Sequence, residues 1–285
     1  MNIIPIASDS LGIRSMATYV ETKDCKIFID PSAALGPTRY GLPPTPQEIQ
    51  ALEQTKQKIA QIAETSGVLI ISHYHYDHYD PSELFYKEKK VFAKDIAENI
   101  NKSQKQRGGD FKKTVEIICD LEYCDDTKHQ IGGTKIVFSP PFFHGPENVR
   151  LGYVVMTTID DGKKRIVHSS DVQGPVTKNA KEYIISQEPD LLIMDGPPTI
   201  FLGWKFSKQS LQDASDNLVE IIETIGCNII LDHHLLRDLK YLDIFSEPYK
   251  IGKEKVKTFA EYLGKENNTL EAHRKELWSK EHGLH

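Results

Sequence analysis

The stretch Gly67-Val68-Leu69-Ile70-Ile71-Ser72 runs without interruption into His73-Tyr74-His75-Tyr76-Asp77-His78. Four successive aliphatic residues are too few for a helix, and an apolar run with no polar alternation reads as a strand buried on both faces, as in parallel sheets. The histidine-rich run then lies on the loop at that strand's carboxyl end, the edge where open α/β sheets bind ligands. On an extended loop His73 and His75 project to the same side. They can therefore share one cation, while Asp77 and His78 turn toward a second. Imidazole nitrogen and carboxylate oxygen are suitable donors for zinc, iron or manganese.

Upstream of this run, Asn2 to Ala7, Met16 to Glu21 and Lys26 to Asp30 read as β structure. Ser32 to Pro46, rich in proline and glycine, is expected to be a loop over the site. Thr45-Pro46-Gln47-Glu48 signals a helix start, with Ile49, Leu52, Ile59, Ile62 and Ala63 on one face. Asp80 to Glu83 opens a second helical stretch. The lysine-rich Lys87 to Lys113 reads as a solvated helix and loop that turns at Arg107-Gly108-Gly109. Strands follow at Val115 to Cys119, Gly133 to Ser139, Leu151 to Ile159 and Arg165 to Ser169, the last two joined by a hairpin at Asp160 to Lys163. A helix at Ala180 to Gln187, a strand at Asp190 to Met194, a helix at Ser210 to Ile225 and a strand at Asn228 to Leu231 come next. The remaining region, 253–285, reads as charged and helical. Two β-rich passages, each followed by α/β passages, fit two packed sheets with helices outside, within a single domain spanning 1–285.

The 285 residues are 39% hydrophobic and 27% charged, which places the chain among globular proteins. A formal net charge of −6 argues against a general affinity for nucleic-acid backbone, although a local basic groove stays open. No stretch approaches the roughly 20 apolar residues of a membrane span, and Met1 to Ile13 lacks a secretory leader, so the expected compartment is the cytoplasm. The four cysteines suit reduced thiols; Cys119 and Cys124 near His129 leave a small zinc site as an alternative.

The H-Y-H-Y-D-H run resembles the hallmark of the metallo-β-lactamase superfamily, and the resemblance is closest to an uncharacterised archaeal group within it. It implies an α+β architecture, the four-layer αββα sandwich. It also implies a third histidine for the first ion, placed at His144 in Pro140-Pro141-Phe142-Phe143-His144-Gly145. The bridging carboxylate it expects falls on Asp171, after strand Arg165 to Ser169. The last ligand falls on His233, because Leu231-Asp232-His233 is similar to the leucine-threonine-histidine of the ribonuclease Z branch; His234 stays a rival. Asp195, at the end of Asp190 to Met194, matches an acidic residue that supports the catalytic region in that branch, against a loop-stabilising role. Phe206-Ser207-Lys208 stands where the branch has a further histidine, which argues against transfer-RNA processing. His129 and His168 read as surface and strand residues.

The function implied is that of a hydrolase holding two divalent ions, zinc first and iron or manganese as alternatives, which activates a bridging hydroxide. Asp77 would also orient the nucleophile. A small-molecule or short phosphodiester is the favoured substrate, with lactone, thioester or amide as alternatives; Arg39, Lys205 and Arg237 are candidate phosphate contacts. The rival from another class is a non-catalytic metal-binding or sensor protein. A homo-oligomer is compatible with this reading, and no membrane partner is expected.

Overall fold

A computed structural model describes residues 1–147 and 149–283. The first sheet holds β1 (Asn2–Pro5), β2 (Thr18–Glu21), β3 (Lys26–Ile29), β4 (Val68–Ile71), β5 (Lys90–Ala93) and β6 (Asp120–Tyr123), adjacent in that order. Helices α1 (Pro46–Thr65) and α2 (Lys102–Val115) lie between its strands in sequence. The second sheet begins with β7 (Lys128–Ile131) and β8 (Thr134–Phe138). After the short pair β9 (Phe142–Phe143) and β10 (Tyr153–Val154) come β11 (Thr157–Asp160) and β12 (Arg165–His168). Helix α3 (Lys178–Gln187) precedes β13 (Leu191–Asp195), and α4 (Lys208–Ile225) precedes β14 (Asn228–Asp232). Two short helices, α5 (Tyr241–Ile244) and α6 (Ser246–Gly252), lead to β15 (Val256–Lys257), with α7 (Phe259–Tyr262) and α8 (Arg274–Glu281) closing the chain. The strand order is β15-β14-β13-β12-β11-β8-β7.

The apolar strands sort their side chains by parity. In β4, Val68 and Ile70 join a core shared with Ile136, Ile159, Ile166, Ile193 and Ile230 of the second sheet. Leu69 and Ile71 of the same strand pack instead with Ile59 and Ala63 of α1 and Phe111 and Val115 of α2. Likewise Leu192, Met194, Ile229 and Leu231 meet Ala180 and Ile184 of α3 and Leu218 and Ile221 of α4. Three cores in four layers make the αββα sandwich, and the uninterrupted hydrophobicity of β4, β13 and β14 follows from burial on both faces.

Several elements differ from the sequence-based expectation. Residues 80–89 form turns rather than a helix, and Lys90–Ala93 is a buried strand within the lysine-rich segment. Arg107-Gly108-Gly109 does not turn the chain; it lies inside α2. A Cβ on Gly108 would stand 2.5 Å from Ile96 Cγ2 and 2.7 Å from Tyr74 Cε2, so the glycine lets α2 approach the histidine-bearing loop. Val115 ends a helix, and the strand begins five residues later. Ile49 of α1 is exposed, unlike Ile59 and Ala63. After Lys253, α-helix is confined to α7 and α8 among the described residues, with turns between them.

Within the first sheet β1, β3 and β4 run the same way, and within the second β8, β12, β13 and β14 do, because each is parallel to its neighbour or separated from it by one antiparallel strand; the ends of both sets meet at the site. Loops leaving those ends carry the polar side chains of the site.

Candidate metal centre

The loop after β4 supplies His73, His75, Asp77 and His78; the segment after β9 supplies His144; the turn after β12 supplies Asp171; the turn after β14 supplies His233 and His234. Three groupings have donor atoms within 4.8 Å of one another: His73 with His75, His144 and Asp171; Asp77 with His78 and His233; and Asp171 with His233 and His234. Asp171 Oδ2 sits at the middle. The Nε2 atoms of His144, His78, His233, His73 and His234 lie 3.1, 3.2, 3.6, 3.7 and 3.7 Å from it.

Carboxylates and hydroxyls aim these rings. His78 Nδ1 is 2.9 Å from Asp30 Oδ2, His233 Nδ1 is 2.7 Å from Asp9 Oδ2, and His234 Nδ1 is 2.7 Å from Asp195 Oδ2. His73 Nδ1 meets the hydroxyls of Ser72 at 3.1 Å and Ser170 at 3.3 Å. A ring whose Nδ1 donates outward presents Nε2 inward as an acceptor, the usual arrangement around a bound metal, although His233 Nε2 already accepts from Arg237 Nη2 at 3.0 Å. Asp30 also accepts from the Ser72 backbone N–H and hydroxyl, tying β3 to the start of the histidine loop.

Buried polar atoms are normally paired. Here the Nε2 atoms of His73, His78 and His144 and Oδ1 of Asp171 are buried with no hydrogen-bond partner. Unpaired nitrogens of three imidazoles gathered around one carboxylate fit a cation, and the donor set is nitrogen-rich with one shared carboxylate, as zinc or iron would use.

The electrostatics divide the rings. Burial, reinforced by His78 and His75, holds His73 well below its ordinary value, and burial with the adjacent His144 brings His75 to about 3. Burial also opposes a charge on His78, but Asp171 and Asp30 outweigh it and raise that ring well above the usual range. His233 feels burial and the nearby Arg237, yet Asp171 and Asp9 lift it to about 9. Burial pushes the Asp171 carboxyl up, and His78, His233 and His234 more than reverse this. Asp77 is likewise driven up by burial and brought well down by His78, His233 and Arg237. Asp195, by contrast, is raised by burial and by the charge of Asp171.

The backbone is bent to make this possible. His233, Ser170 and Asp30 have φ of 57°, 55° and 49°, in the left-handed region that non-glycine residues enter at a cost of order 1 kcal/mol. At His233 the conformation is imposed by Asp232. Its Oδ1 accepts from the backbone N–H groups of His233 and Ser10, and its Oδ2 from that of Phe259.

The residues singled out from the sequence thus converge, with Asp171 belonging to two groupings. His233 joins Asp77 and His78, and it also shares a grouping with His234 and Asp171. Asp195 lies in none of the groupings and acts on His234. His168 stays in β12, where its Nε2 meets the Met16 carbonyl at 3.1 Å, and His129 packs half-buried against Phe92. Cys119 and Cys124 are free thiols in no metal grouping among the described residues. Of the three candidate phosphate contacts, Lys205 and Arg237 line the cavity over the centre; Arg39 is spent on the Arg237 carbonyl and the Tyr40 ring. Asp9, Asp30, Ser72, Ser170, Arg14 and Arg107 had not been picked out from the sequence. Asp30 and Asp9 follow β3 and β1 at the edge that carries the histidine loop, and that position is the signal that could have found them.

The chain is 43% identical to the UPF0282 protein of Methanocaldococcus jannaschii across 97% of its length and 96% of that protein. It belongs to the UPF0282 family. The UPF0282 protein of Thermococcus onnurineus is 46% identical, covering 99% of this chain and 97% of its own. No family model matches. Among solved structures, this UPF0282 member is similar to the metallo-β-lactamase fold protein YhfI of Bacillus subtilis, with a TM-score of 0.52 and 17% identity over 86% of this chain and 88% of that one. An isothiocyanate hydrolase from Delia radicum gut bacteria gives 0.54 and 16% over 86% and 93%, and yeast PDE1 gives 0.51 and 13% over 90% and 96%. The sandwich is therefore the metallo-β-lactamase fold. No helix among the described residues is long and apolar enough to cross a membrane.

Proposed function

We propose that this UPF0282 protein is a metal-dependent hydrolase with a dinuclear centre, zinc being the ion best suited to its donors, and that its substrate is a small phosphodiester. The observation that carries this reading is the ring of five imidazole Nε2 atoms within 3.7 Å of Asp171 Oδ2, with three of those nitrogens buried and unpaired. His73, His75 and His144 would hold one ion, Asp77, His78 and His233 the other, and Asp171 would stand between them. Bound divalent ions supply Lewis-acid polarisation of an ester oxygen and activation of water near neutral pH.

The chain's own groups do the rest. Asp77 lines the cavity and stays ionised beside Arg237 and His233, so it can accept a hydrogen bond from the attacking water and orient it. His234 also lines the cavity, and its Nδ1 is committed to Asp195. His234 Nε2 therefore faces the cavity as an acceptor, while Asp195 keeps the ring in place. Ala34 and Leu35, from the loop after β3, add apolar lining to the cavity.

The test is metal analysis of the purified protein joined to hydrolysis of bis(4-nitrophenyl) phosphate and a chromogenic lactone, with a chelator control. Phosphodiester turnover that disappears on chelation and in His75→Ala and Asp77→Ala is expected. A metal-loaded protein inert toward every ester offered would defeat the proposal and favour a binding or sensing role.

A further inference from the structure

The cavity above the centre has a volume of about 370 Å³, within the range of small-molecule sites. Its floor is His75, Asp77, His144, Asp171 and His234, and its walls include Leu35, Leu151, Pro198 and Phe201. Four cationic side chains also line it: Arg14, Arg107, Lys205 and Arg237. The carboxylates that line it, Asp77 and Asp171, both belong to the floor. Four cations thus line one recess in a chain whose net charge is −6.

The four cations divide into two kinds. Arg14 is bound in a fork to Glu271, and Arg237 is held by Asp9 and Asp77, so their charges are already balanced. Arg107 and Lys205 form no ion pair with any described residue. Instead each rests on an aromatic face. The Arg107 guanidinium lies 4.6 Å from the Tyr76 ring centre and donates to the Tyr74 carbonyl at 3.2 Å; Lys205 Nζ lies 4.2 Å from the Trp204 ring centre. Cation–π contacts hold a charge in position without neutralising it. Arg107 comes from α2, while Lys205 comes from the loop between β13 and α4. Two positioned, unbalanced cations from separate elements, lining one cavity with apolar side chains, select a ligand by both charge and bulk.

We propose that the cavity takes a small organic anion bearing a second charged group, a phosphate or carboxylate, set apart from the bond that is cleaved and bound by Arg107 and Lys205. This rests on the reading of the floor as a metal-dependent hydrolytic centre. The scissile group meets the floor, the carbon body packs against Leu35, Leu151 and Phe201, and the remote anion reaches Arg107 and Lys205.

Calorimetry on the metal-loaded, full-length protein tests it without requiring turnover. The probes are 4-phosphonobutyrate and pentylphosphonate, of similar length, each with a phosphonate for the floor and only the first with a remote carboxylate. The expected result is a Kd at least about tenfold lower for 4-phosphonobutyrate, with the advantage cut to about twofold or less in Arg107→Gln/Lys205→Gln and in part by either single substitution. Equal affinities in the wild type, or an advantage that survives in the double variant, would overturn the proposal while leaving the hydrolytic reading intact. Binding of neither probe would overturn both.

Discussion

Substituting Arg274 by methionine should cost about 3–5 kcal/mol of stability, the range for removing one partner of a buried ion pair. Arg274 opens α8, and its side chain and that of Glu48 are fully buried. The guanidinium donates to Glu48 at 2.8, 3.0 and 3.0 Å and to the Leu42 carbonyl at 3.2 Å. Glu48 is at the same time the third helical residue of α1, closing a capping box with Thr45. With methionine in place, the carboxylate keeps the Thr45 backbone N–H and hydroxyl but loses its only full counter-charge among the described residues. Unfolding entropy of about 2.1 cal/mol/K per residue gives ~0.6 kcal/mol/K for the chain, so Tm should fall by about 5–8 °C. Thermal melts and urea titrations measure it. Glu48→Gln/Arg274→Met should recover part of the loss, because no charge is then left buried. A single variant within about 1 kcal/mol of wild type, or a double variant worse than the sum of both singles, would refute the reasoning.

Gly108→Ala should be destabilising by about 1–3 kcal/mol in urea titrations, reversing the usual helical gain of alanine, because its methyl group meets Tyr74 and Ile96. Asp30→Asn should weaken metal binding about 10- to 100-fold in chelator competition, since Asp30 aims His78 and pins Ser72; unchanged affinity would remove Asp30 from the support of the site. Burial pushes Glu271 up, but the fork from Arg14 and the charges of Arg14, Arg237 and Arg274 leave it below its ordinary value of 4.5. Its contribution is therefore complete above the unfolded value and fades as pH falls through the lower folded one. Urea titrations of wild type and Glu271→Gln should accordingly differ most near neutrality and converge in acid, and a gap that widened in acid would contradict the assignment.

The αββα layering was legible because β4, β13 and β14 carry runs of aliphatic residues that only double-sided burial explains. The candidate ligands His73 to His78 were legible because they follow an apolar strand, whereas His144, Asp171 and His233 were placed by the resemblance to the metallo-β-lactamase superfamily. Local composition misled at Lys90–Ala93 and at Gly108. A strand flanked by lysines looks solvated until its neighbours β4 and β6 are known, and a Gly-Gly pair looks like a turn until close packing against Tyr74 supplies its reason. The supports stayed hidden for a different cause. Asp9 meets His233 across 224 positions and Arg274 meets Glu48 across 226, and no local pattern encodes such pairings. Nothing in the run His233-His234 reveals that Asp9 takes one ring and Asp195 the other; only the fold separates them.

Asp232 depends on the amide of Phe259, and Arg14 on Glu271, although every candidate ligand has been made by His234. During synthesis, then, a nascent chain carries the complete set of donors before it carries the segments that lock His233 and the cavity wall. An ion captured early would meet a loose, exchangeable cluster, and the later segment holding Phe259 and Glu271 would set its final grip.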